Sequence, residues 1–308
     1  MVMNTNTFSK TVGLTEYFRV FRDKAEKDIW AWRQMFDVGV HDNPTWQGYS
    51  VVGYGAAEER SQGALPPYHD MIEQSPTTIT AVKYMLGSMI YRELLTDQRQ
   101  IKDIFSRMGE ALSESMSYVK DSYVARIFNR AFVYTNQYMF DSSTTALCDT
   151  HTLASGDSLT NEFPSATLTY DNFWSLVQYF TSTVVNQNNL PYTDSPKYFL
   201  YHPVQENIVE KIRRSPMEPD TTDNNKNVLD KYMSGITFIP CRLLTTNTNY
   251  FLLGSKMKQH LIFRWVKDWK PQTKVDKDFD RLGTKILTFQ KFLAGVDNYI
   301  PIIGCIGA

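Results

Sequence analysis

Cysteine is scarce in this sequence, and the few that occur exclude several classes of protein. Among 308 residues there are three, Cys148, Cys241 and Cys305. An odd number of widely spaced cysteines forms neither a disulfide framework nor a paired metal-binding knuckle. We therefore expect a reducing compartment, with the cytosol as the default.

Long apolar runs and targeting signals are also missing. The N-terminal MVMNTNTFSK lacks the apolar core of a secretory signal, and no Asn-x-Ser/Thr sequon occurs. No stretch approaches the ~20 apolar residues that a membrane span needs. The apolar tail 299–308 is short and interrupted by glycine and proline, so we expect it to pack as a final strand and expect no membrane partner.

Excess charge of one sign is absent as well. The chain has 32 Lys+Arg against 33 Asp+Glu, a formal net charge of −1. Its average charge therefore gives no attraction toward phosphate backbones or anionic lipid. This balance argues against a dedicated nucleic-acid-binding protein.

Aromatic residues, in contrast, are abundant. They make up 14% of the chain, with 18 Phe, 18 Tyr and 6 Trp. Such side chains bury large areas and are enriched where proteins meet. With 42% hydrophobic and 21% charged residues, the composition is that of a globular protein of about two domains, or of one domain with long extensions.

The N-terminal region has a helical apolar repeat. Between Leu14 and Phe36 the apolar positions are Leu14, Phe18, Phe21, Ala25, Ile29, Trp32 and Phe36. This spacing predicts an amphipathic helix with an aromatic stripe, which Gly39 to Pro44 would end. The stripe can pack on its own domain or on a neighbouring copy.

A glycine- and proline-rich segment follows, from Thr45 to Gln74. A loop of thirty residues is unusual in a compact domain, and short alternating pieces such as 49–54 favour an extended two-stranded arm. From Thr78 to Ile90 the alternation of apolar residues favours a returning strand over a helix.

The clearest predicted element is a long helix. Asp97 and Gln100 resemble a capping box, and an apolar stripe continues from Ile101 to Ile127. About 30 helical residues would span roughly 45 Å. We expect this spine helix to end at the segment 128–132.

The second half of the chain alternates predicted helices and strands. Thr169 or Asp171 would cap a helix through Val184, residues 197–202 would form a strand, and Pro203 would begin a helix that ends at Arg214. Two apolar segments, 236–244 and 250–253, flank Thr-Thr-Asn-Thr-Asn and predict a hairpin. Further strands are predicted at 260–269 and 285–293, with the charged VDKDFDRLG between them as a solvated loop. The alternation indicates a layered α/β unit.

No motif specifies a reaction. Cys148, Asp149 and His151 are close enough in sequence to share a metal, but a second ligand pair at zinc spacing is missing. Walker, nucleophile-elbow and dinucleotide-binding motifs are absent. An alternative function, a metal-dependent hydrolase or an α/β ligand-binding module, would use Asp149 and His151. A basic cluster at 256–270 with Trp265 and Trp269 could touch a polyanion weakly, although a strand with inward tryptophans explains it as well.

The order of these parts resembles the major capsid proteins of tailed bacteriophages with the HK97-type fold, especially the Mu-like head subunit branch. The resemblance covers residues 10 to 300. In that branch a short motif follows the spine helix, and Phe140-Asp141, Ala146-Leu147, His151 and Gly156 stand in its places, with Ser142 where glycine is usual.

The resemblance implies an α+β fold divided into named parts. Residues 1–45 would form the N-terminal aromatic helix or arm, 46–92 the E-loop, 93–165 with 255–295 the P-domain, and 166–254 with 296–308 the A-domain. It implies no enzymatic activity, no catalytic residues and no cofactor or metal. Because the chain begins close to the aromatic helix, we expect a separate scaffolding protein or none, and little processing.

The implied partners are copies of the same chain, arranged as hexamers and pentamers of a virion shell assembled in the host bacterial cytoplasm. Portal and scaffolding or decoration proteins, and weak non-specific contact with packaged double-stranded DNA, are further expectations. The predicted intersubunit contacts are Phe18, Phe21, Trp32, Tyr49, Tyr54, Glu58, Glu59, Arg60, Asp223 and Asn224.

Overall fold

The fold was analysed in a computed structural model. It describes residues 19–21, 24, 27–48, 51–57, 59–61, 65, 68, 72–73, 77–91, 101–133, 145–215, 227, 229, 234–278 and 283–307. Strands and helices are mixed along the chain.

The helices are α1 (Ile101–Asn129), α2 (Tyr170–Ser182), α3 (Glu206–Arg214) and the single turn α4 (Met257–His260), with 3-10 turns at Trp32–Gln34 and Pro203–Gln205. The strands are β1 (Asp37–His41), β2 (Thr45–Gly48), β3 (Val51–Val52), β4 (Ile72–Glu73), β5 (Thr77–Thr80), β6 (Val82–Tyr91), β7 (Thr150–Thr152), β8 (Ser158–Thr160), β9 (Glu162–Phe163), β10 (Pro196–Tyr201), β11 (Thr237–Pro240), β12 (Tyr250–Gly254), β13 (Leu261–Val266), β14 (Gln272–Asp278), β15 (Gly283–Val296) and β16 (Ile302–Cys305).

The first sheet is built around the long strand β15. Its order is β1-β13-β15-β14, and β6 pairs with the remaining side of β15. β6 runs antiparallel to β15 from Val82 opposite Phe292 to Tyr91 opposite Gly283. β1 is parallel to β13, and the other pairs are antiparallel.

The spine helix α1 packs across one face of this sheet. Alternate residues of β15 point toward it, because successive strand side chains face opposite sides. Gln290 donates from Nε2 to the carbonyl of Met116 at 2.9 Å, and the ring of Phe292 lies 5.3 Å from that of Tyr123. Leu112, Met116, Tyr123 and Ile127 of the predicted apolar stripe are buried, as predicted.

The second sheet has the order β11-β10-β12-β16-β9. The helix α2 packs on it through Phe173, whose ring lies 5.0 Å from Phe199. Thr169 caps α2, since its Oγ1 accepts a hydrogen bond from the backbone N–H of Asn172. The tail strand β16 is buried along its whole length, which confirms the predicted final strand.

One aromatic core joins the two sheets. At the end of α1, Phe128 contacts both the N-terminal segment, through Phe36 at 6.4 Å, and the second sheet, through Phe251 at 5.4 Å. Phe132 stacks on Phe251 at 5.5 Å. Burial of these rings is a large part of the apolar area that stabilises the fold.

Several further predictions are confirmed. The strand predicted at 78–90 is formed by β5 and β6, the spine helix ends at Asn129, and Pro203 begins the turn that leads into α3. The proposed capping residues Asp97 and Gln100 lie outside the described residues.

The predicted hairpin between 236–244 and 250–253 is wrong. β11 pairs in parallel with β10, and β12 pairs with the other side of β10 in antiparallel orientation. The turn-rich sequence between them is therefore a connection that skips β10, the strand that lies between β11 and β12 in the sheet. The sequence of two apolar strands and the turn between them does not show whether the strands pair with each other. It also does not show whether a third strand lies between them in the sheet.

The charged stretch predicted as a loop is also different. Residues 275–278 belong to β14, which pairs with β15 from Gln272 opposite Phe289 to Asp278 opposite Gly283. Exposed and half-buried residues alternate from Gln272 to Asp276. The solvent-exposed face of a strand can carry charged residues of this kind. The charged composition of the segment was therefore not evidence for a loop.

The prediction of one continuous N-terminal helix is wrong for its second half. Residues 19–21 and 24 are helical, but 27–31 are not, and β1 occupies part of the segment expected to break the helix. The backbone N–H of Ile29 donates to the Asp121 carboxylate of the spine helix at 2.5 Å. This tertiary contact replaces the hydrogen bond that a continuous helix would make there.

Candidate assembly surfaces

An antiparallel two-stranded arm leaves the body of the protein after β2. β2 pairs with β5, and β3 pairs with β4 further out. This pairing is what the arm prediction requires. The arm begins and ends beside the first sheet, where the backbone N–H of Ala81 donates to the carbonyl of Pro44 at 2.7 Å.

The base of the arm is fixed on the first sheet. Ile79 belongs to a buried cluster with residues of β13 and β15, and Trp46 packs against it. The guanidinium of Arg264 lies 5.2 Å from the ring centre of Trp46. Arg264 also pairs with the carboxylate of Asp37. The arm is therefore held at its base by packing and charge.

The outer part of the arm is exposed. The exposed fractions are 57% for Tyr54, 86% for Leu65 and 90% for Tyr68. Glu59 and Arg60 are also exposed. The arm also contacts the body of its own subunit, where the Asn188 side chain donates a hydrogen bond to the carbonyl of Gly53. Large apolar side chains in such exposed positions indicate an interaction surface.

Two predicted contact residues lie elsewhere than expected. Trp32 is fully buried, with its ring 4.7 Å from Phe263, and Phe21 is 4% exposed. Trp32 has no surface left for a neighbouring subunit. Of the two alternatives for the aromatic stripe, these residues adopt the packing on their own domain.

A buried charge network attaches this N-terminal segment to the spine helix. Lys120 and Asp121 are both fully buried. The Lys120 ammonium lies 2.6 Å from Asp28 Oδ1 and 3.9 Å from Asp121 Oδ1. Asp121 Oδ1 also accepts a hydrogen bond from Trp32 Nε1 at 2.8 Å. The network is satisfied by partners on both segments, as buried charges require.

Burial also changes the protonation of this network. Desolvation raises the pKa of the Asp121 carboxyl to about 6, against the lowering effects of the Ile29 hydrogen bond and the Lys120 charge. Sequence inspection gave no sign of this network, because Lys-Asp in the middle of a helix is an ordinary surface pair. Its partner Asp28 lies 92 residues away.

The other predicted contact residues, Phe18, Tyr49, Glu58, Asp223 and Asn224, lie outside the described residues. The structure therefore brings together Tyr54, Glu59 and Arg60 on the exposed arm, and places Phe21 and Trp32 in the core.

The proposed metal site has the geometry of packed core. His151 stacks on Tyr299 with ring centres 3.7 Å apart, and its Nδ1 lies 3.1 Å from the Thr145 hydroxyl. Burial raises the pKa of the Cys148 thiol, with the Glu162 charge as a smaller cause, which keeps this thiol protonated. Among the residues that the structure describes, no group of three or more potential ligands could hold a metal ion.

The two tryptophans of the basic cluster lie on opposite faces of the first sheet. Trp265 points toward the aromatic core, with its ring 5.5 Å from Phe292. Trp269 lies on the opposite face, half-buried, with the Lys83 ammonium 4.8 Å from its ring centre. Sequence reasoning missed Lys83 and Lys291, which are 208 positions apart in sequence but paired in the sheet.

Comparison with solved structures identifies the fold. The chain is similar to the capsid of Myoviridae phage XM1, with TM-score 0.58, 11% identity and coverage of 92% of this chain and 94% of that chain. It is similar to the capsid of a native GTA particle, with TM-score 0.58, 10% identity and coverage of 89% and 88%. A virus-like particle from Pyrococcus furiosus matches with TM-score 0.53, 11% identity and coverage of 94% and 98%. The chain has the α+β HK97-type capsid fold.

Comparisons with family models and with curated proteins give no match. No family model matches the sequence, and no curated protein is significantly similar to it. Within the described residues, no helix is both long and apolar enough to cross a membrane.

Proposed function

We propose that this chain, which has the HK97-type capsid fold, is the major capsid protein of a tailed bacteriophage. Copies of it would assemble as hexamers and pentamers into the icosahedral head shell around a double-stranded DNA genome. The protein would be a structural component of the virion with no enzymatic activity.

The observation that carries this proposal is the exposed arm on a well-packed body. Its base is fixed by Trp46 and Ile79, yet Tyr54, Leu65 and Tyr68 present apolar surface to solvent. A two-stranded ribbon is only marginally stable by itself, so contact with a neighbour would stabilise it. Repetition of one modest contact around a closed shell gives a stable particle.

The division into E-loop (46–92), P-domain (93–165 and 255–295) and A-domain (166–254 and 296–308), after an N-terminal segment 1–45, is part of the proposal. The two sheets support it in part, since β13, β14 and β15 of the first sheet lie in the P-domain ranges and β10, β11, β12 and β16 of the second sheet lie in the A-domain ranges. The exceptions are β1 and β6, which pair in the first sheet, and β9, whose Glu162 and Phe163 pair with β16.

Further details belong to the same proposal. The short motif that includes Ala146-Leu147, His151 and Gly156 supports placement in the Mu-like head subunit branch. Portal and scaffolding or decoration proteins would be partners, and assembly would take place in the host bacterial cytoplasm. Contact with packaged DNA would be weak, because the formal net charge is −1.

Deletion of the arm tests this proposal. The chain is produced alone, and the wild type is compared with a variant lacking Gly53 to Pro67 by size exclusion and negative-stain microscopy. We expect shells or hexamers from the wild type, and a folded species no larger than a capsomer from the deletion. Normal particles from the deletion variant would refute the role of the arm.

The alternative, a metal-dependent hydrolase or an α/β ligand-binding module at Asp149 and His151, has no observation in its favour. His151 is 2% exposed and stacked on Tyr299, so a substrate could not reach it without local unfolding. If His151 has a packing role, the His151→Ala variant should assemble to the same extent with and without added metal.

A further inference from the structure

The N-terminal segment and the spine helix α1 form one outer face of the protein. The N-terminal backbone runs beside the middle of α1, where Ser117 Oγ donates to the carbonyl of Lys24 at 3.5 Å. The Lys120 ammonium donates to the carbonyl of Lys27 at 3.3 Å. Another side of α1 packs on the first sheet. The remaining side of the helix is open to solvent, and Tyr118 on it is 54% exposed.

This outer face carries an excess of positive charge. Among the side chains that the structure describes in residues 19–34 and 106–130, Glu114 is the one exposed carboxylate. The exposed cationic residues of the same two segments are Arg19, Lys27, Arg107, Arg126 and Arg130. The chain as a whole has a formal net charge of −1, so positive charge is concentrated here and balanced elsewhere.

A loop from the second half of the chain adds a further arginine at the end of α1. The Asn129 side chain donates to the carbonyl of Leu243 at 2.9 Å. The same side chain accepts a hydrogen bond from the backbone N–H of Thr245 at 2.9 Å. These two bonds hold the loop against the last turn of the helix. Arg242, which precedes Leu243 in the chain, is exposed beside that turn.

Two arginines of α1 and the residue after it lie next to this loop. The backbone N–H of Arg130 donates to the carbonyl of Arg126 at 3.1 Å, so the two side chains are neighbours on one helical surface. Arg107 lies about 28 Å from Arg126 along the helix, at 1.5 Å per residue. The cationic helix face is the surface formed by Lys27, Arg107, Arg126, Arg130 and Arg242.

Neighbouring cations of the same two segments have carboxylate partners. The Lys24 ammonium lies 2.8 Å from Glu110 Oε1, and Arg33 pairs with Asp28. Arg130 is also engaged in a contact. In the part of the chain that the structure describes, no carboxylate within 4.0 Å and no aromatic ring contacts the charged groups of Lys27, Arg107, Arg126 or Arg242. These four charges are therefore available to an anionic partner.

The length and the chemistry of the face indicate which anion fits it. Interfaces between proteins are poor in charged residues at their centre, whereas cations here extend along the whole helix. A DNA duplex carries one phosphate charge per 1.7 Å of its axis, so about 28 Å of duplex presents about 16 charges. Guanidinium groups bind phosphate in bidentate geometry. The exposed hydroxyl of Tyr118, between Arg107 and Arg126, is a further donor of the kind that contacts phosphate oxygens.

We propose that the cationic helix face contacts the phosphate backbone of packaged double-stranded DNA. This assignment rests on the proposed function and names the surface of the subunit that meets the genome. Phosphate contacts do not read the base sequence, so the binding is non-specific. A few such contacts give only weak binding at physiological salt. A chain with a net charge of −1 can therefore hold DNA loosely through one local surface.

The salt dependence of DNA binding counts the phosphate contacts. Fluorescence anisotropy of a labelled duplex measures the Kd of the full, unassembled chain between about 50 and 200 mM salt. The logarithm of the binding constant falls against the logarithm of salt concentration by about 0.9 per contacted phosphate, so we expect a slope of about −4 for the wild type. Arg126→Gln with Arg242→Gln should reduce the magnitude of this slope by about 2.

A charge-preserving variant separates charge from folding. Arg126→Lys with Arg242→Lys keeps both positive charges and should keep the wild-type slope to within about 0.5. Arg126 lies in the last turn of α1, where a cation also stabilises the helix, so circular dichroism and melting temperature establish that each variant is folded. A folded glutamine variant with the wild-type slope would overturn the proposal. Absence of DNA binding by the wild type would overturn it too.

Two matched controls locate the contact. Lys197→Gln with Lys211→Gln changes two exposed lysines outside the cationic helix face and should keep the wild-type slope. Lys83→Gln with Lys291→Gln changes two lysines of the first sheet whose ammonium groups lie 4.8 and 6.0 Å from the ring centre of Trp269. This variant should keep the slope as well. Loss of about 2 from the slope in either control, with none in Arg126→Gln with Arg242→Gln, would overturn the assignment.

An acidic protein surface is the competing partner. Polyglutamate is added to the complex of the chain with the duplex, and we expect it to displace the duplex only at a higher concentration of charges. Displacement at an equal or lower concentration would favour an acidic protein and overturn the DNA assignment. Assembly is measured separately. Absence of shells would contradict the proposed function while the slopes still test the face, and normal shells with unchanged slopes would overturn the face alone.

Discussion

At the scale of single residues, burial separates the side chains that hold the chain together from those available to a neighbour. Trp32 is fully buried and donates a hydrogen bond to Asp121, whereas Tyr54 is 57% exposed on the arm. Both are aromatic, and the sequence assigned both to intersubunit contact. The apolar period of the N-terminal segment could show that Trp32 is packed, but not which surface covers it.

The first prediction contrasts these two residues. Trp32→Ala should lower the free energy of unfolding of the unassembled subunit by about 3–5 kcal/mol, because it opens a cavity and removes the hydrogen bond to Asp121. Tyr54→Ala should change it by less than about 0.5 kcal/mol. Urea unfolding measures both values. A small effect of Trp32→Ala would mean that the N-terminal segment is not docked on the spine helix.

The second prediction concerns pH. The native pKa of Asp121, about 6, is above the usual aspartate value of 3.8, so between these two pH values the native state holds a proton that the unfolded chain has released. Between these two pH values the contribution of Asp121 to stability falls as pH rises. The loss between pH 4 and pH 7 is at most about 3 kcal/mol.

Asp121→Asn removes this titration. The difference in unfolding free energy between wild type and variant should therefore favour the wild type more at pH 4 than at pH 7, as measured by urea unfolding at both pH values. Asp171→Asn, which removes an exposed carboxylate, is the control and should show a much smaller change. Equal pH dependence in wild type and Asp121→Asn would contradict the buried network.

At the scale of secondary structure, long periodic elements could be predicted and strand order could not. The stripe from Ile101 to Ile127 determined α1, and Thr169 determined the start of α2, because local spacing and capping act within a few residues. The pairing of β10 between β11 and β12 depends on contacts between distant segments. The pairing of Lys83 with Lys291 depends on such contacts too, so no local signal revealed it.

The third prediction concerns the closing strand β16. A Cβ added to Gly304 would lie 2.7 Å from Cys148 Sγ and 2.8 Å from Phe132 Cζ, whereas one added to Gly53 would meet nothing within 4 Å. Gly304→Ala should lower the free energy of unfolding by about 1–3 kcal/mol through overpacking. Gly53→Ala is the matched control, and urea unfolding of both should show a clear difference. Equal stability of the two variants would mean that β16 is not buried as described.

At the scale of the whole molecule, the near-zero net charge and the high aromatic content have separate structural causes. Most of the aromatic rings that the structure describes pack in the core that joins the two sheets, while others are exposed on the arm. The net charge of −1 conceals the separation of the acidic segment 49–74 from the lysines at positions 83, 274 and 291 of the first sheet. Both average values were visible in the sequence, but their distribution required the fold.

The mass of the particles formed by the wild-type chain alone tests the central claim most directly. Analytical ultracentrifugation across a range of protein concentrations, with electron microscopy of the same samples, measures it. We predict closed shells of megadalton mass, or hexamers and pentamers that convert to shells as concentration rises. A stable monomer of 35.6 kDa at every concentration would contradict the account.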